Sequence, residues 1–348
     1  MTIVVTGGAG FIGSNFIHYI LSNFNTKVIN LDALTYAGNL ENLNTISKHE
    51  NYIFKNGSIN DHDFVKSIFN DYSVKSVINF AAESHVDRSI HGPAEFISTN
   101  IVGTFNLLEV SLEYWRSCKF NDFRFIHVST DEVYGSLDAD AVAFTEKHAF
   151  RPNSPYAASK ASSDHLVRSY NKTYNFPAII TNCSNNYGPY QFPEKLIPLI
   201  ILNSLNSKPL PIYGDGSQIR DWLYVKDHCI AIHKVLMEGS LGETYNIGGL
   251  NEKTNLEVVH IVCSHLNKLK PRKTGYYQDL IKFVKDRPGH DTRYAIDATK
   301  ITNELGWTPA ESFETGILKT INWYLENFDW VENVTSGDYK KWIDTNYS

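Results

Sequence analysis

A glycine-rich segment near the N-terminus, residues 6–13, constrains the fold of this chain most strongly. It directly follows a β-branched run and directly precedes an amphipathic stretch. Gly8, Gly10 and Gly13 match the spacing G-x-G-x-x-G. Gly7, Gly10 and Gly13 match the variant with two residues in each gap. With either spacing, the missing side chains let the backbone turn sharply and approach a pyrophosphate at a helix N-terminus. The strand, loop and helix context predicts a dinucleotide site rather than a merely structural turn.

The first 185 residues alternate short β-branched runs with longer amphipathic stretches. The expected strands cover residues 3–6, 27–31, 52–54, 76–80, 124–129 and 178–182. The expected helices cover residues 10–24, 61–71, 94–115 and 155–174. This alternation predicts an α/β fold, a Rossmann-type doubly wound parallel sheet with helices on both faces. Ligands of such sheets bind at the carboxyl ends of the strands.

Beyond residue 185, prolines and glycines divide the chain into short elements, with helical patterns near 226–238 and 255–268. We expect residues 1–185 to form the cofactor-binding domain and residues 186–348 to form mainly a smaller C-terminal lobe that binds the substrate. The division is not expected to be clean, because a strand near 243–247 could rejoin the main sheet.

Composition excludes several classes of protein. The chain has 348 residues, of which 42% are hydrophobic and 20% charged, as is typical of globular proteins and not of disordered chains. A formal net charge of −6 disfavours binding to nucleic acid or to anionic membranes. The longest apolar runs, such as 196–202, which Pro198 interrupts, are too short to span a bilayer. No secretory signal precedes the first strand.

The four cysteines are widely spaced along the chain, at Cys118, Cys183, Cys229 and Cys263. No Cys-x-x-Cys pair occurs, so neither a zinc site nor a disulfide framework is expected. We therefore expect a reduced, cytoplasmic protein without a bound metal.

An acidic residue, Asp32, ends the second expected strand nineteen residues after Gly13. A carboxylate at this position can accept hydrogen bonds from an adenosine ribose, and it would repel a 2′-phosphate. The next three residues, Ala33, Leu34 and Thr35, include no arginine that would bind such a phosphate. NAD is therefore favoured over NADP, and the alternative is that Asp32 only caps a turn.

A tyrosine and a lysine four residues apart, Tyr156 and Lys160, lie in the fourth expected helix. Ser154 and Pro155 provide an N-cap and a first helical position, so both side chains are expected on one helical face. A neighbouring ammonium lowers the pKa of a phenol, which would make Tyr156 available as a base toward a sugar hydroxyl. Without the nucleotide loop, an exposed aromatic residue and a solvated lysine would be the simpler interpretation.

Two adjacent acids, Asp131 and Glu132, follow the fifth expected strand. They should therefore emerge at the carboxyl edge of the sheet, where a nicotinamide would lie. Their surroundings can separate the two pKa values and leave one acid protonated and the other ionised. The alternative is a solvated pair in a loop, or a cap on the next element.

These features resemble the extended short-chain dehydrogenase/reductases and, among them, the dTDP-glucose 4,6-dehydratase family. The similarity extends over nearly the whole chain. The matching motifs are the glycine loop, residues 32–39, 81–89, 183–189 and 194–198, Thr130 to Glu132, Tyr156 with Lys160, Arg220 to Trp222, and Arg287 to Asp291. Within the superfamily, Thr130-Asp131-Glu132 is the discriminating triplet. Related epimerases generally lack both acids, and nucleotide-sugar decarboxylases and GDP-mannose dehydratases usually carry Ser before the Glu.

The resemblance implies an NAD-dependent hydro-lyase that converts dTDP-glucose to dTDP-4-keto-6-deoxyglucose, a precursor of deoxysugars such as rhamnose. Tyr156, assisted by Lys160 and Thr130, would take the proton of the 4-hydroxyl during oxidation at C4. Glu132 would then remove the C5 proton while Asp131 protonates the departing 6-hydroxyl. Hydride return to C6 would regenerate NAD, which should stay bound through turnover.

The resemblance also implies two sets of binding residues. The expected cofactor residues are Gly7, Gly10, Phe11, Ile12, Gly13, Asp32, Ala33, Leu34, Thr35, Ser58, Ile59, Ala81, Ala82, Ser84, Thr99, Tyr156, Lys160 and Asn186. The expected substrate residues are Ser84, Thr130, Asn185, Lys195, Leu196, Pro211, Ile212, Tyr213, Arg220, Asn255, Arg287 and His290. Ser58 departs from the family pattern, which usually has an Asp that contacts the adenine. Ser58 can still donate or accept a hydrogen bond.

A homodimer is expected through the helices at 94–115 and 155–174, whose apolar stripes could equally be ordinary core. Three alternatives stay open at this point. The chain could be a UDP-sugar 4-epimerase, a UDP-glucose 4,6-dehydratase, or a protein that binds NAD without catalysing a reaction.

Overall fold

The computed structural model describes residues 1–118, 122–286 and 288–335. Its strands are β1 Thr2–Thr6, β2 Lys27–Asp32, β3 Tyr52–Asn56, β4 Ser76–Asn79, β5 Arg124–Thr130, β6 Ala178–Cys183, β7 Asn185–Tyr187, β8 Leu210–Tyr213, β9 Ile219–Tyr224, β10 Thr244–Ile247, β11 Glu252–Thr254, β12 Ile281–Val284 and β13 Arg293–Tyr294. Its helices are α1 Phe11–Asn23, α2 His62–Asp71, α3 Val86–His91, α4 Pro93–Phe96, α5 Thr104–Ser117, α6 Pro155–Tyr174, α7 Leu196–Leu205, α8 Val225–Glu238, α9 Asn255–Leu269, α10 Thr299–Leu305, α11 Phe313–Glu326 and α12 Phe328–Val334. Short 3₁₀ helices cover Leu40–Ile46, Asp131–Tyr134 and Tyr277–Leu280, and a π-helical segment covers Ile97–Gly103.

Seven parallel strands form the main sheet, in the order β3, β2, β1, β4, β5, β6 and β10. One core lies between the sheet and α1, α8 and α10, and a second lies between the opposite face and α2, α5 and α6. Because both faces are covered, the central strands are apolar almost throughout. This arrangement confirms the predicted Rossmann-type sheet. The strand β10, from the later part of the chain, pairs with β6.

The helix α6 begins where the sequence predicts. The Ser154 Oγ accepts the backbone N–H of Ala157 at 3.0 Å, and Pro155 occupies the first turn. The helix ends at Tyr174, beyond which Asn175 adopts a left-handed conformation with φ of 54°. This local chemistry places Tyr156 and Lys160 in the first two turns of the helix.

The other strands form two smaller sheets. One is centred on β9, which pairs with β7, β11 and β13, and the other consists of β8 and β12. They pack with α7, α9, α11 and α12 around a separate apolar core, and we call this part of the chain the smaller lobe. Pro198 does not break the apolar run in this lobe, because it lies in the first turn of α7, where its missing N–H needs no partner.

The described ranges contain neither a membrane-spanning helix nor a cluster of metal ligands. None of the helices in them is long and apolar enough to cross a bilayer. Within the same ranges no group of His, Cys, Asp and Glu side chains is arranged to hold a metal ion. The four cysteines are free thiols.

Candidate active site

A large cavity lies at the carboxyl ends of β1, β2, β4, β5 and β6, and the smaller lobe closes it from the opposite side. The expected cofactor residues in its wall are Gly7, Gly10, Phe11, Ile12, Gly13, Asp32, Ala33, Thr35, Ser58, Ile59, Ala81, Ala82, Ser84, Thr99, Tyr156, Lys160 and Asn186. The expected catalytic and substrate residues there are Thr130, Asp131, Glu132, Asn185, Lys195, Leu196, Pro211, Ile212, Tyr213, Arg220, Asn255 and His290. Leu34 is not in the wall, and Arg287 lies outside the described residues.

The glycine loop faces the cavity with Gly7, Gly10 and Gly13, whereas Gly8 is buried against the side chains of Asn30 and Ile17. A Cβ atom on Gly13 would lie 2.3 Å from the carbonyl oxygen of Gly7. Gly7 itself has a φ of +67°, and a Cβ there would lie 2.7 Å from the backbone nitrogen of Ala81. No side chain caps the N-terminus of α1, so its first turn is open to an anion.

Asp32 ends β2 and is held rigidly by backbone donors. Its Oδ2 accepts the N–H of Ala9 at 2.9 Å, and its Oδ1 accepts the N–H of Leu34 at 2.8 Å. Burial raises the pKa of Asp32, and the two backbone hydrogen bonds oppose this shift. Leu34 was expected to contact the cofactor, but its side chain is not in the cavity wall, and its backbone N–H donates to Asp32. It does so in a left-handed conformation with φ of 52°.

Tyr156 and Lys160 point into the cavity from successive turns of α6. The Lys160 Nζ donates to the carbonyl oxygen of Val128 at 2.8 Å, and burial lowers the pKa of this lysine. Burial raises the pKa of Tyr156 well above its usual value, the negative charge of Glu132 raises it further, and a hydrogen bond with Thr130 opposes both. The sequence predicts the opposite direction for Tyr156. That prediction is wrong because the spacing reveals the lysine but not the depth of burial.

The two acids occupy one 3₁₀ turn at the end of β5, and their surroundings differ. Asp131 is only 2% exposed, its Oδ1 accepts the hydroxyl of Thr130 at 3.3 Å, and its Oδ2 is buried without a hydrogen-bond partner. Burial, then the charges of Glu132 and Asp221, raise the pKa of Asp131 well above its usual value. Glu132 is half-buried in the cavity wall. At neutral pH, Asp131 is therefore suited to donate a proton and Glu132 to accept one.

The substrate side of the cavity combines two cationic side chains with a buried amide oxygen that has no hydrogen-bond partner. Arg220 is 4% exposed, donates to the carbonyl oxygen of Asp291 at 2.9 Å and lies 4.3 Å from the ring centre of Tyr294. The Lys195 Nζ donates to the carbonyl oxygen of Ser84 at 3.0 Å. The Oδ1 of Asn185 is buried without a hydrogen-bond partner. A buried guanidinium and an ammonium in one wall suit a diphosphate.

Known proteins with similar sequences identify the family. Residues 4–320 match the family described as GDP-mannose 4,6 dehydratase. The dTDP-glucose 4,6-dehydratase of Salmonella typhimurium is 58% identical over an alignment of 358 residues, gaps included, which covers 100% of this chain and 99% of the relative. That of Neisseria meningitidis is 56% identical, with 97% of each chain covered. The chain belongs to the dTDP-glucose 4,6-dehydratase family.

Solved structures of this family share its fold. The dTDP-glucose 4,6-dehydratase of Bacillus anthracis, in complex with NAD, has a TM-score of 0.86 at 48% identity and covers 96% of this chain and 99% of its own. The Streptomyces venezuelae enzyme, with NAD and TYD bound, has a TM-score of 0.88 at 44% identity, with 96% and 100% covered. The UDP-glucose 4-epimerase of Thermotoga maritima is more distant, with a TM-score of 0.83 at 28% identity and 94% and 100% covered.

Several cavity residues of this dehydratase family member escape sequence reasoning. Tyr294 reaches the wall from β13, a strand of two residues that pairs with β9, and its hydroxyl donates to Asp291. Others that line the cavity and were not predicted are Glu83, His85, Cys183, Ser184, Gln191, Phe192, Glu194 and Trp222. No pattern in the sequence marks Tyr294, whereas Glu194 lies in the matching motif at 194–198.

Proposed function

We propose that this chain catalyses the dehydration of dTDP-glucose to dTDP-4-keto-6-deoxyglucose, with NAD as a resident cofactor. The observation that carries the proposal is one cavity in which the buried acid Asp131, whose pKa is raised by burial, and its neighbour Glu132 lie beside Tyr156 and the glycine loop. An epimerase needs the tyrosine alone. An acid and a base on adjacent residues suit the removal of water.

The first part of the cavity fits NAD. Gly13 lets α1 pack closely against the glycine loop, where a Cβ atom would lie 2.3 Å from the Gly7 carbonyl oxygen, and the N-terminus of α1 faces the cavity. The fixed oxygens of Asp32 suit the hydroxyls of an adenosine ribose. NAD⁺ bound here accepts a hydride from C4 of the sugar and returns it to C6. Because no net oxidation takes place, the protein has no need to release the cofactor between turnovers.

The oxidation at C4 requires a base for the 4-hydroxyl proton. Tyr156 is the residue suited to take it, with Thr130 as its hydrogen-bond partner. Only the phenolate form of Tyr156 can accept this proton, and burial, which raises the pKa of Tyr156, disfavours that form. We propose that a cation at Lys160 stabilises the phenolate, which then takes the 4-hydroxyl proton as hydride leaves C4.

The elimination requires one proton acceptor and one proton donor. The ketone at C4 acidifies the C5 hydrogen, and Glu132 removes it as a proton. Asp131 gives its proton to the 6-hydroxyl, which departs as water and leaves a double bond between C5 and C6. Hydride return to C6 and reprotonation of C5 by Glu132 complete the sugar. Tyr156 has then gained one proton and Asp131 has lost one, so proton exchange with solvent resets both groups and atoms and charges balance.

Purified protein and dTDP-glucose, without added NAD, test the proposal. We expect a product lighter by one water, detected by mass spectrometry as the 4-keto-6-deoxy sugar nucleotide. UDP-glucose should react more slowly by roughly fivefold in kcat/KM, because one methyl group contributes about 1 kcal/mol in a pocket. A 4-epimer that keeps its 6-hydroxyl would indicate a UDP-sugar 4-epimerase instead. The absence of keto sugar from dTDP-, UDP- and CDP-glucose would remove the proposal.

The assembly that we propose is a homodimer through the helices at 94–115 and 155–174. Three large apolar side chains of the first of these segments are exposed, namely Ile97, Val102 and Phe105 at 53%, 51% and 46%. Clustered exposed apolar groups of this size mark a contact surface. The isologous contact of a two-fold dimer would cover the cluster with its own copy.

Replacing Val102 and Phe105 together by Asp should convert the dimer into a monomer. Two charges buried in the contact would cost several kcal/mol, more than a surface of this kind can offset. Light scattering after size exclusion measures the change in mass. Val142→Asp, at a 79% exposed position outside the cluster, is the matched control and should leave the mass unchanged. A dimer that persists in the double variant would place the contact elsewhere.

Two further expectations stay as proposals. We assign cofactor binding mainly to residues 1–185 and nucleotide-sugar binding mainly to residues 186–348, with β10 returned to the main sheet. We also place the protein in the cytoplasm, since its free thiols and a nucleotide-sugar substrate suit a reducing compartment.

A further inference from the structure

Asp164 is a buried acid that the reaction above does not use. It lies on α6 one turn beyond Lys160, so Tyr156, Lys160 and Asp164 share one helical face at four-residue spacing. The side chain is only 1% exposed and lies below the cavity, between α6 and the strands β5 and β6. A buried carboxyl needs either a proton or a strong set of partners.

The groups around Asp164 are donors. Its Oδ2 accepts the hydroxyl of Ser129 at 2.9 Å and the side-chain amide of Asn182 at 3.1 Å. Ser129 and Asn182 are direct neighbours in the pairing of β5 with β6. The Oδ1 lies 3.4 Å from the Nε2 of His127. The Oδ1 makes no hydrogen bond, but because none of these neighbours offers Asp164 an acceptor and the Oδ2 receives two donors, the site suits a carboxylate.

His127 is neutral, as the polarity of a hydrogen-bond ladder across three strands shows. Thr6, Asn79 and His127 are paired neighbours on β1, β4 and β5. The Thr6 hydroxyl accepts the N–H of Ala81, so its own proton goes to the Oδ1 of Asn79 at 2.5 Å. The Nδ2 of Asn79 must then donate to the Nδ1 of His127, at 3.2 Å. This leaves the proton of His127 on Nε2, toward Ser163 and Asp164.

Four titratable groups surround Lys160 in the described residues. They are Asp164 and Tyr156 on α6, His127 on β5 and Cys183 on β6. Burial lowers the pKa of His127 to about 4 and raises the pKa of Cys183, so both are uncharged at neutral pH. The pKa of Tyr156 is also raised. Asp164 is therefore the group among these four that supplies a negative charge.

We propose that Asp164 is a positioning residue whose buried carboxylate, one turn away on the same face of α6, keeps Lys160 protonated beside Tyr156. This rests on the proposed function, in which a cation at Lys160 stabilises the charge on Tyr156. Burial favours the neutral amine, and Asp164 opposes it. The same helix thus carries the base, its cation and the counter-charge of that cation. The hydrogen-bond ladder from Thr6 to His127 keeps His127 neutral beside Lys160 and Asp164.

Two readouts test this proposal. The first is the rate at which bound nicotinamide is reduced by dTDP-glucose, measured across pH in a Glu132→Gln background, where Asp131 and Glu132 take no part. Asp164→Asn should move the alkaline limb of this profile to lower pH by about one unit or more, because the charge of Asp164 raises the pKa of Lys160 and its removal lowers that pKa. Asp164→Glu, which restores the charge, should return the limb toward its original position.

The second readout is independent of substrate and turnover. Lys160 lines the cavity but is only 4% exposed, so the reagent must be as small as acetic anhydride, and mass spectrometry of the peptide that contains Lys160 gives the pH at which the neutral amine appears. Asp164→Asn should shift this pH downward by about one unit or more. Ser163→Ala is the control: it removes a hydroxyl that bonds to the Lys160 carbonyl and lies near His127, without removing a charge. It should leave both profiles in place.

Two results would overturn the proposal. One is an Asp164→Asn protein that loses rate equally at all pH values, with an unchanged labelling profile, which indicates packing alone. The other is wild-type Lys160 that is labelled readily at neutral pH, and this measurement decides even if Asp164→Asn does not fold. If the wild type forms no keto sugar, the proposed function fails, while the labelling profiles still report on Asp164 and Lys160.

Discussion

Glu132→Gln should let the first oxidation proceed and stop the reaction before water is lost. The glutamine amide cannot take the C5 proton, whereas Tyr156 and Lys160 are unchanged. Turnover should fall by roughly 10²- to 10⁴-fold, the range for loss of a general base. Reduced nicotinamide should then accumulate on the protein after mixing with dTDP-glucose, as measured by stopped-flow absorbance.

The electrostatics of the site add a second expectation for this variant. The Glu132 charge raises the pKa of Tyr156, so its removal lowers that pKa. The acid limb of the oxidation step should therefore move to lower pH. Asp140→Asn is the matched control, since it removes one carboxylate from an exposed position on the loop that follows the acidic pair, outside the cavity wall. Wild-type turnover in Glu132→Gln would mean that another group removes the C5 proton.

The main sheet and the cofactor side of the cavity were within reach of sequence reasoning because their signals are local. A glycine loop lies between one strand and one helix, and Asp32 ends the next strand. The sequence does not decide whether Gly7 or Gly8 is the first glycine of the motif, because both match a known glycine spacing. The structure decides it, since Gly7 lines the cavity and Gly8 is buried. Gly8 packs against Asn30 of the neighbouring strand, a contact that no local spacing encodes.

The smaller lobe was harder to predict because its elements are short and pair over long distances. The strand β13 has two residues and pairs with β9 more than sixty positions earlier. This pairing places the aromatic ring of Tyr294 4.3 Å from the guanidinium of Arg220. A two-residue strand has no periodicity to detect.

The pKa of Tyr156 shows a different limit of sequence reasoning. Four-residue spacing correctly places Lys160 on the same helical face, and from this a lowered pKa was expected. The structure directs the Lys160 ammonium to the Val128 carbonyl and places Glu132 near the phenol. Spacing along a helix reports which groups are neighbours. It does not report desolvation, which is the largest cause of the shift here.

Tyr156→Phe should block the reaction at its first step, so no reduced nicotinamide should form after mixing with dTDP-glucose. The variant keeps the ring that packs edge-on against Phe96 and beside Val86, so the fold and the cofactor content should be retained. It lacks the hydroxyl that takes the 4-hydroxyl proton, and turnover should fall by roughly 10²- to 10⁴-fold. Tyr170→Phe is the control, since that phenol lies on the same helix and bonds to Glu109, outside the cavity wall.

Combined with Glu132→Gln, Tyr156→Phe also determines the order of the two steps. If oxidation must precede elimination, Tyr156→Phe should abolish the reduced nicotinamide that Glu132→Gln accumulates, because the C5 hydrogen becomes acidic only beside a ketone. Reduced nicotinamide in the double variant would show that another group takes the 4-hydroxyl proton. Water loss by Tyr156→Phe without any reduced nicotinamide would show that Glu132 and Asp131 act on the unoxidised sugar, and it would contradict the assignment of both steps.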